Sequence, residues 1–302
     1  MSYGYTPLQW VLVFFAYCFL GWCFESAVVS TQQRRWVNRG FLHGPMLPIY
    51  GFGATLLLHI SLPLERYPAA LFLASMAAAT VFEYAVGAAM EKLFRVKYWD
   101  YSSHRFQLHG RICLQSSLCW GFLGLILTRL IHRPVDAAVT LLPTAAAAVL
   151  AAVIGALFAA DVCRSVRAAL DLAKLLEELD ELREQGAALR RALSETALVR
   201  LTRLSYRVDE ARGEWSEKLE DAREELSEKL GDAREEIGGR VDDAREQIHA
   251  RLDALQQRFD ERAAALDRRR KSLLRGNPSA RSARYDDVLQ RLKRRIDAGR
   301  KG

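Results

Sequence analysis

Long apolar stretches alternate with short polar loops in the first half of the chain. A helix needs about 17–25 mostly apolar residues to cross the hydrocarbon layer of a membrane. Five stretches satisfy this requirement: residues 8–29, 46–62, 69–90, 112–131 and 137–160. The first stretch has no basic region before it and no cleavage site after it, so we expect an uncleaved span. The pattern predicts an all-α polytopic transmembrane bundle of about five spans.

The second half has a different period. From Trp215 onward, apolar residues recur four and three positions apart in an eleven-residue repeat, and charged residues fill most other positions. Eleven residues close three helical turns, so the apolar stripe runs almost straight along a helix. Because the stripe is narrow, we expect a partner helix to cover it, which favours a homo-oligomer. A helix lying on a lipid surface is the alternative, but acidic residues match or exceed basic ones here.

Charge separates the chain into the same parts. Residues up to Asp161 include 11 Lys or Arg and 7 Asp or Glu, whereas the rest has 32 and 29, so the mean hydropathy of −0.05 averages two opposite compositions. The segment from Arg268 to Gly302 holds 13 basic and 3 acidic residues and ends in a short amphipathic helix. It favours anionic lipid over nucleic acid, because no interleaved aromatic residues are present for base stacking. We predict a transmembrane domain at 1–162, a cytoplasmic helical region at 163–267 and a basic tail at 268–302.

The positions of Lys and Arg predict the orientation in the membrane. Basic residues concentrate in the loops after the first, third and fifth spans, and the opposite loops hold few. Because cytoplasmic loops carry the excess of Lys and Arg, we expect the amino terminus outside and the carboxyl half in the cytoplasm.

Ionisable residues inside or beside the spans are costly, at roughly 2.5–3.5 kcal/mol each at the helix centre. Glu25 and Glu83 lie late in the first and third spans, and Glu91, Asp100 and Arg111 follow near the border of the fourth. With the predicted orientation, all five lie toward the cytoplasmic face. They predict a shared polar pocket, with a purely structural lock as the alternative.

The stretch 38–53, NRGFLHGPMLPIYGFG, places helix breakers where a span is expected to begin. Its glycines 40, 44, 51 and 53 and prolines 45 and 48 predict a bent or re-entrant backbone rather than a regular helix; a simple tight turn is the alternative. Irregular backbone at membrane depth is tolerated where protein buries it or water reaches it. We therefore expect a cavity, and the candidate polar or substrate site comprises Glu25, Asn38, Arg39, His43, Tyr50, Glu83, Glu91, Trp99, Asp100, Tyr101 and Arg111.

The sequence shows no motif for a metal site, for catalysis or for ATP hydrolysis. The five cysteines show neither a CxxC pair nor histidines at metal-ligand spacing, so we interpret them as apolar packing residues and predict no metal site and no cofactor. No HExxH motif or nucleophile elbow appears, and no catalytic residue is identified. His59 and His132 are interpreted as bystanders. No GxxxxGK[ST] phosphate loop occurs, so the chain does not itself hydrolyse ATP through that motif.

Four blocks carry a family resemblance: FLGWCFES, RRWVNRGFLHGPMLPIYGFG, VFEYAVGAAMEKLFRVKYWDYS and LHGRICLQSSLCWGFLG. In order and spacing they resemble the bacterial membrane family called putative ABC-transporter type IV, or putative ABC transporter permease, over roughly residues 8–160. The resemblance implies a multi-pass protein of the bacterial cell membrane that acts as a permease component with a separate ATPase subunit. It assigns no role to an individual residue.

Of three functions that the sequence allows, we predict the first, and the other two are the alternatives. The first is a transport component whose polar site lies at the cytoplasmic side of the bundle. The second is a membrane-embedded enzyme acting on a lipid or lipid-linked substrate. The third is a membrane-anchored coiled-coil scaffold, which leaves the costly polar residues of the spans without a purpose.

Overall fold

The computed structural model describes residues 4–214, 243, 246–266 and 268–298, and for residues 62 and 193–214 it describes the backbone alone. The helices are α1 (Pro7–Gln33), α2 (Pro48–Leu64), α3 (Pro68–Phe94), α4 (Leu114–Ile126), α5 (His132–Thr140), α6 (Thr144–Glu214), α7 (246–264), α8 (Arg268–Gly276) and α9 (Asp286–Ala298). A five-residue π-helical segment, Leu127–Ile131, joins α4 to α5. Two short strands, β1 (Gln107–Leu108) and β2 (Ile112–Cys113), pair antiparallel before α4.

Local sequence fixes where the first helices begin and end. Thr6 caps α1, because its hydroxyl accepts from the Gln9 amide at 3.3 Å and the Gln9 side chain accepts from the Thr6 amide at 2.9 Å. Helices α2 and α3 both begin with proline, whose missing N–H costs nothing in the first turn. Arg34 and Arg95 end α1 and α3 in the left-handed conformation.

Among the described residues, four helical segments are long and apolar enough to cross a membrane: Pro7–Gln33, Pro68–Phe94, Leu114–Thr140 and Thr144–Ala192. The predicted all-α polytopic class is confirmed. The remaining predicted span, 46–62, coincides with α2, which has 17 residues and therefore lies at the lower end of the spanning range. The count of five stays a prediction.

The chain doubles back along α1 before α2 begins. The Val37 amide donates to Ser30 Oγ at 2.9 Å, the Arg39 amide to Ser26 Oγ at 3.1 Å, and the Leu47 amide to the Cys18 carbonyl at 2.9 Å. Residues 34–47 are not helical, which confirms the predicted break. We call this segment the return loop. Hydroxyl and carbonyl oxygens of α1 accept hydrogen bonds from its amides, which helical carbonyls would otherwise accept.

The predicted break was wrong at Gly51 and Gly53, which lie inside α2. A Cβ on Gly51 would meet the Phe14 ring at 2.7 Å as well as Cys18 Sγ, and a Cβ on Gly21 of α1 would overlap the Tyr50 ring. Gly21 and Gly51 therefore allow α1 and α2 to approach closely, as small residues do between membrane helices. Their role is helix packing rather than helix breaking.

The chain divides into two compact units, Met1–Leu176 with Leu266–Gly302, and Glu177–Ala265. The core of the first unit lies between α1, α2, α3 and α6 and includes Val13, Leu57, Leu58, Ala79 and Ala147. The boundaries predicted at 162 and 267 stay predictions.

The second unit pairs part of α6 with α7. Arg262 and Glu178 form a salt bridge at 3.6 Å, and a Cβ on Gly186 would lie 4.0 Å from Leu252. These contacts make the two segments antiparallel. Most of the eleven-residue repeat, residues 215–242, lies outside the described residues. The described end of the repeat, in α7, contacts α6 of the same chain. The homo-oligomer stays a prediction.

The basic tail packs within the first unit. The predicted amphipathic helix is α9, and its apolar side chains Val288, Leu289, Leu292 and Ile296 are buried together with Tyr285. Backbone hydrogen bonds join Lys97 and Arg281 in both directions, at 2.7 and 3.0 Å. The apolar face that the sequence analysis assigned to lipid is therefore covered by protein in this arrangement.

Candidate functional site

Glu83 is a buried carboxylate in the middle of the helical packing. It lies on α3 and is 6% exposed. Its oxygens accept from Trp120 Nε1 at 3.0 Å, from the Tyr101 hydroxyl at 3.3 Å and from Ser116 Oγ at 3.4 Å. In the described part of the chain no Lys or Arg forms a salt bridge with Glu83. Trp120 and Tyr101 therefore hold this group as neutral donors without a counter-ion, and Ser116, whose single hydroxyl proton is shared with the Cys113 carbonyl at 2.9 Å, adds a weaker contact.

These donors come from two separate elements. Trp120 and Ser116 lie on α4, which packs against α3 so closely that a Cβ on Gly121 would meet the Phe72 ring at 2.6 Å. Tyr101 belongs to the loop between α3 and β1, where burial raises the pKa of its phenol and the adjacent Glu83 raises it further. Tyr101 is therefore a neutral O–H donor at physiological pH.

Glu25 is the second carboxylate, and it has a cationic partner. Its Oε2 accepts from Arg39 Nε at 3.3 Å and its Oε1 accepts from the Tyr50 hydroxyl at 2.7 Å. The Glu25 side chain is 30% exposed and the Arg39 side chain 14%. The return loop brings Arg39 back to α1, which is why a residue beyond the end of α1 reaches a carboxylate inside it.

An aromatic pair connects the two carboxylates. The ring centroids of Tyr50 and Trp120 lie 6.0 Å apart. The Tyr50 hydroxyl donates to Glu25, and Trp120 Nε1 donates to Glu83. We call the group formed by Glu25, Arg39, Tyr50, Glu83, Tyr101, Ser116 and Trp120 the carboxylate cluster. Among the candidate residues, the structure brings together Glu25, Arg39 and Tyr50 and, across the ring pair, Glu83 and Tyr101.

Glu91 and Arg111 form a separate ion pair at the end of α3. Arg111 contacts Glu91 Oε2 through Nη2 at 2.8 Å and Nε at 3.0 Å, and its Nη1 donates to the Tyr84 hydroxyl at 3.0 Å. Lys97 Nζ lies 3.8 Å from the other oxygen of Glu91. Arg111 pairs with Glu91 rather than with Glu25 or Glu83, so this pair fastens the strand region to α3.

Trp99 and Asp100 shape the loop that carries Tyr101. Trp99 Nε1 donates to the Arg111 carbonyl at 2.9 Å, and Asp100 accepts from the Ser102 amide at 3.1 Å. Gly110 has φ +69°, and a Cβ there would overlap the Asp100 carboxylate. These candidate residues contact backbone and neighbours within the loop, and they act on the cluster through the position of Tyr101.

Asn38 and His43 hold the return loop in place. Asn38 accepts from Trp22 Nε1 at 2.5 Å and donates to the His43 carbonyl at 2.7 Å. His43 Nδ1 lies 3.2 Å from Ser165 Oγ on α6, and the Gly44 amide donates to Asp161 at 2.8 Å. The loop is thereby tied to both α1 and α6.

The basic tail completes the surroundings of Arg39. Arg39 Nη1 donates to the Asn277 side chain at 2.6 Å and to the Gly276 carbonyl at 3.1 Å. Asn277 is 2% exposed and returns a bond to the Gly40 carbonyl at 3.1 Å. Sequence reasoning missed these contacts, because more than two hundred residues separate the partners.

A second polar cluster also escaped the sequence interpretation. His132 is 1% exposed; the hydroxyls of Tyr17 and Tyr5 lie 3.0 Å from its Nδ1 and 3.1 Å from its Nε2, and Tyr5 also donates to Asp136. We call Tyr5, Tyr17, His132 and Asp136 the histidine cluster. It lies near the start of α1, whereas Glu25 lies near its end. The π-helical segment Leu127–Ile131 lies directly before His132 in the same membrane-spanning stretch.

No group of three metal-ligating residues is placed to hold a metal ion among the described residues. The carboxylate cluster offers two acidic side chains, neutral donors and one arginine. Such a set can accept or release a proton and can bind a cation. It presents no activated nucleophile.

Comparisons with known proteins bear on the same part of the chain. No curated protein and no solved structure matches it. Residues 12–166 match the family model described as "Putative ABC-transporter type IV". This range includes every candidate residue of the sequence analysis and every residue of the carboxylate cluster. On that match, which covers half of the chain, the protein belongs to the family of putative ABC-transporter type IV membrane proteins.

Proposed function

We propose that the protein is the permease component of a membrane transporter and that the carboxylate cluster is its site for a cation or a coupling proton. The observation that carries this proposal is the environment of Glu83, a buried acid that three neutral donors contact and that no described basic residue pairs with. Intramembrane carboxylates in such settings are costly and mark pathways for ions and protons.

The chemistry follows from the missing counter-ion. An ionised carboxylate away from water is strongly destabilised unless a cation or a proton compensates it. Fixed donors at Trp120 and Tyr101 orient the oxygens without neutralising them. Glu83 is therefore suited to exchange a proton for a cation, and a cationic solute is favoured over an anionic one.

Glu25 would control access to this site. Glu25 is the more exposed member of its salt bridge with Arg39, and Arg39 keeps its hydrogen bonds to the basic tail when the two side chains separate. Tyr50 contacts Glu25 through its hydroxyl and Trp120 through its ring. Separating Glu25 from Arg39 would thus be transmitted to the indole that donates to Glu83.

The proposal includes a topology. We propose that α2 completes a fifth crossing, that the amino terminus lies outside and that α6 enters the cytoplasm. The excess of Lys and Arg in the loops after α1 and α3 supports this orientation. The carboxylate cluster then lies at the cytoplasmic side of the bundle, in the cell membrane of a bacterium.

A separate ATPase subunit is part of the proposal. The chain has no phosphate loop, and the family description names an ABC transporter. We propose that such a subunit, where present, contacts the cytoplasmic loops. Downhill exchange through the permease requires no ATP, so the site can be tested in its absence.

Purified protein in liposomes with an entrapped pH dye provides the test. Gradients of sodium, potassium or tetraphenylphosphonium are imposed, and proton movement is recorded for the wild type, Glu25→Gln, Glu83→Gln and Glu65→Gln. We expect Glu83→Gln to lower exchange by at least about tenfold, the equivalent of about 1.4 kcal/mol. Glu65 is exposed in the loop between α2 and α3, so Glu65→Gln should match the wild type.

If no imposed gradient produces a flux that Glu25→Gln or Glu83→Gln alters, the proposal is overturned. The cluster would then be a structural lock between α1, α2, α3 and α4. In that case Glu83→Gln should lower the thermal unfolding midpoint without any change in flux.

A further inference from the structure

A surface cavity of about 170 Å³ opens where the start of the return loop meets α8. Both sides of the cavity belong to the same compact unit, although they come from opposite ends of the sequence. Its volume is below the roughly 300–1,000 Å³ of typical small-molecule pockets. The cavity therefore suits a compact group rather than a large ligand.

Three arginines line this cavity. Arg35 comes from the return loop, and Arg268 and Arg275 come from α8. Arginine presents a planar fork of N–H donors that matches the oxygens of a phosphate, and clusters of arginine are used where phosphate is recognised. Asn38 and Ser272 add neutral polar groups to the lining.

The charges of these arginines are only partly compensated. Arg35 lies 3.4 Å from Asp297, but the two side chains are 29% and 55% exposed, so this salt bridge is weak. Arg275 donates to the Ile296 carbonyl at 3.4 Å, which orients the guanidinium without neutralising it. Within the described residues Arg268 forms no salt bridge, whereas its neighbour Arg270 pairs with Asp171 at 3.3 Å. The cavity thus keeps a positive excess.

Trp36 places the cavity next to a membrane surface. Its side chain lines the cavity and is 70% exposed, just beyond the end of the first membrane-spanning helix. Exposed tryptophans at the ends of spans lie at the level of the lipid head groups. Basic pockets at the ends of membrane helices bind anionic head groups there.

We propose that this cavity binds the phosphate group of an anionic phospholipid. The apolar face of α9 is buried in the protein, so the tail meets lipid through a head-group site and not by inserting that face. The same phosphate chemistry would accept free inorganic phosphate, and the experiment separates the two sources. This inference does not depend on transport, because it is tested by binding.

Calorimetric titration of the full-length protein in neutral detergent provides the test. The probes are dihexanoyl phosphatidylglycerol and inorganic phosphate, each titrated into the wild type and into Arg268→Gln/Arg275→Gln. The control, Arg291→Gln/Arg294→Gln, removes the same charge from exposed positions of α9 that do not line the cavity. Arg268→Gln alone serves if the double variant does not fold, since the Arg268 side chain is exposed.

We expect the phospholipid to bind the wild type and the control alike and to bind Arg268→Gln/Arg275→Gln at least about tenfold more weakly, because charged hydrogen bonds to phosphate are lost. Inorganic phosphate should bind much more weakly than the phospholipid. Equal binding of both probes with the same loss in the variant would overturn lipid as the source and leave a phosphate site. Absence of phospholipid binding, or equal weakening in the control, would overturn the proposal.

Discussion

The two ends of α1 contribute to polar clusters of opposite character. In the histidine cluster, tyrosine hydroxyls lie within hydrogen-bond distance of both His132 ring nitrogens, and the group is built on α1, on α5 and on Tyr5, which precedes α1. In the carboxylate cluster near its end, one acid has an arginine partner and the other has only neutral donors. Two loops and the tail complete it.

The difference separates a structural lock from a candidate site. A buried polar network whose members all have partners makes a packing unique and rigid. The histidine cluster fits that description. Glu83, by contrast, leaves a charge that a cation or proton must balance. We therefore propose that the first cluster stabilises the fold and that the second carries the function, and the variants below test this division and the tail that borders the second cluster.

The largest effect is expected where a substitution breaks the carboxylate cluster alone. Gly21→Leu places a side chain where the Tyr50 ring lies and so moves the Tyr50 hydroxyl away from Glu25. Overpacking of this kind costs about 1–3 kcal/mol, and exchange in liposomes should fall with it. The thermal unfolding midpoint and flux are the measurements.

Gly155→Leu is the matched control for that variant. The nearest atom to a Cβ at Gly155 is Phe15 Cζ at 3.9 Å, an ordinary contact distance, so a Cβ there meets none of the overlap found at Gly21. Equal losses in the two variants would mean that the Gly21 contact has no special importance for the cluster.

A second variant breaks the histidine cluster alone. His132→Ala removes the group that both tyrosine hydroxyls contact, and leaving buried polar groups unsatisfied costs about 1–3 kcal/mol. We expect a lower unfolding midpoint with exchange preserved per folded molecule. The exposed His59 provides the control as His59→Ala. A loss of exchange in stable His132→Ala protein would refute the division between lock and site.

A smaller effect is expected when the tail is loosened. Asn277→Ala deletes side-chain bonds to Arg39, Gly40 and Leu273, at a net cost of about 1 kcal/mol for each bond. Hydrogen exchange should speed up in residues 34–47 and 266–298 and stay unchanged around His132. Ser279→Ala, at an exposed position of the same segment, should behave as the wild type. Uniform acceleration throughout the chain would argue against a local role.

The smallest effect concerns pH. Burial lowers the pKa of Lys293 to about 8, aided by nearby Arg281 and Arg39 and opposed by Asp286 and Asp297. Its ammonium donates to the carbonyls of Pro278 and Ala280. In the unfolded chain the Lys293 side chain keeps its proton to about pH 10. Between about pH 8 and about pH 10 the unfolded state therefore binds more protons than the folded state, and the free energy of unfolding rises with pH.

Lys293→Met should remove this rise, which is on the order of 1 kcal/mol after screening by solvent. Unfolding midpoints of the wild type, Lys293→Met and the exposed control Lys174→Met, taken at about pH 7.5 and about pH 9.5, check the expectation. A midpoint that falls with pH in the wild type, relative to Lys293→Met, would contradict it.

The predictable part of the fold rested on local signals. Long apolar runs predicted the four spans, and glycine and proline in 38–45 predicted the return loop. Glu25, Arg39 and Tyr50 could be grouped because the loop joins two adjacent spans. Gly51 and Gly53 misled the interpretation, since glycine permits close helix packing as well as helix breaks.

The remainder depended on contacts that no local pattern encodes. His132 meets Tyr5 and Tyr17 over more than a hundred residues of sequence. The apolar face of α9 was equally compatible with lipid and with protein, because both cover the same residues. Trp120 donates to Glu83 only because α3 and α4 pack together, and no local pattern in the sequence predicts that contact.

Chemical labelling decides most directly whether the carboxylate cluster is a wet site or a lock. Two proteins carry one cysteine each: Ser116→Cys in an otherwise cysteine-free chain, and a chain that keeps only Cys18, which is fully buried on α1. Both are treated with a membrane-impermeant thiol reagent. Our account predicts that the cysteine at 116 reacts, because ions and protons that exchange at the buried Glu83 must reach it from water, and that Cys18 does not. A cysteine at 116 as inert as Cys18 would contradict it.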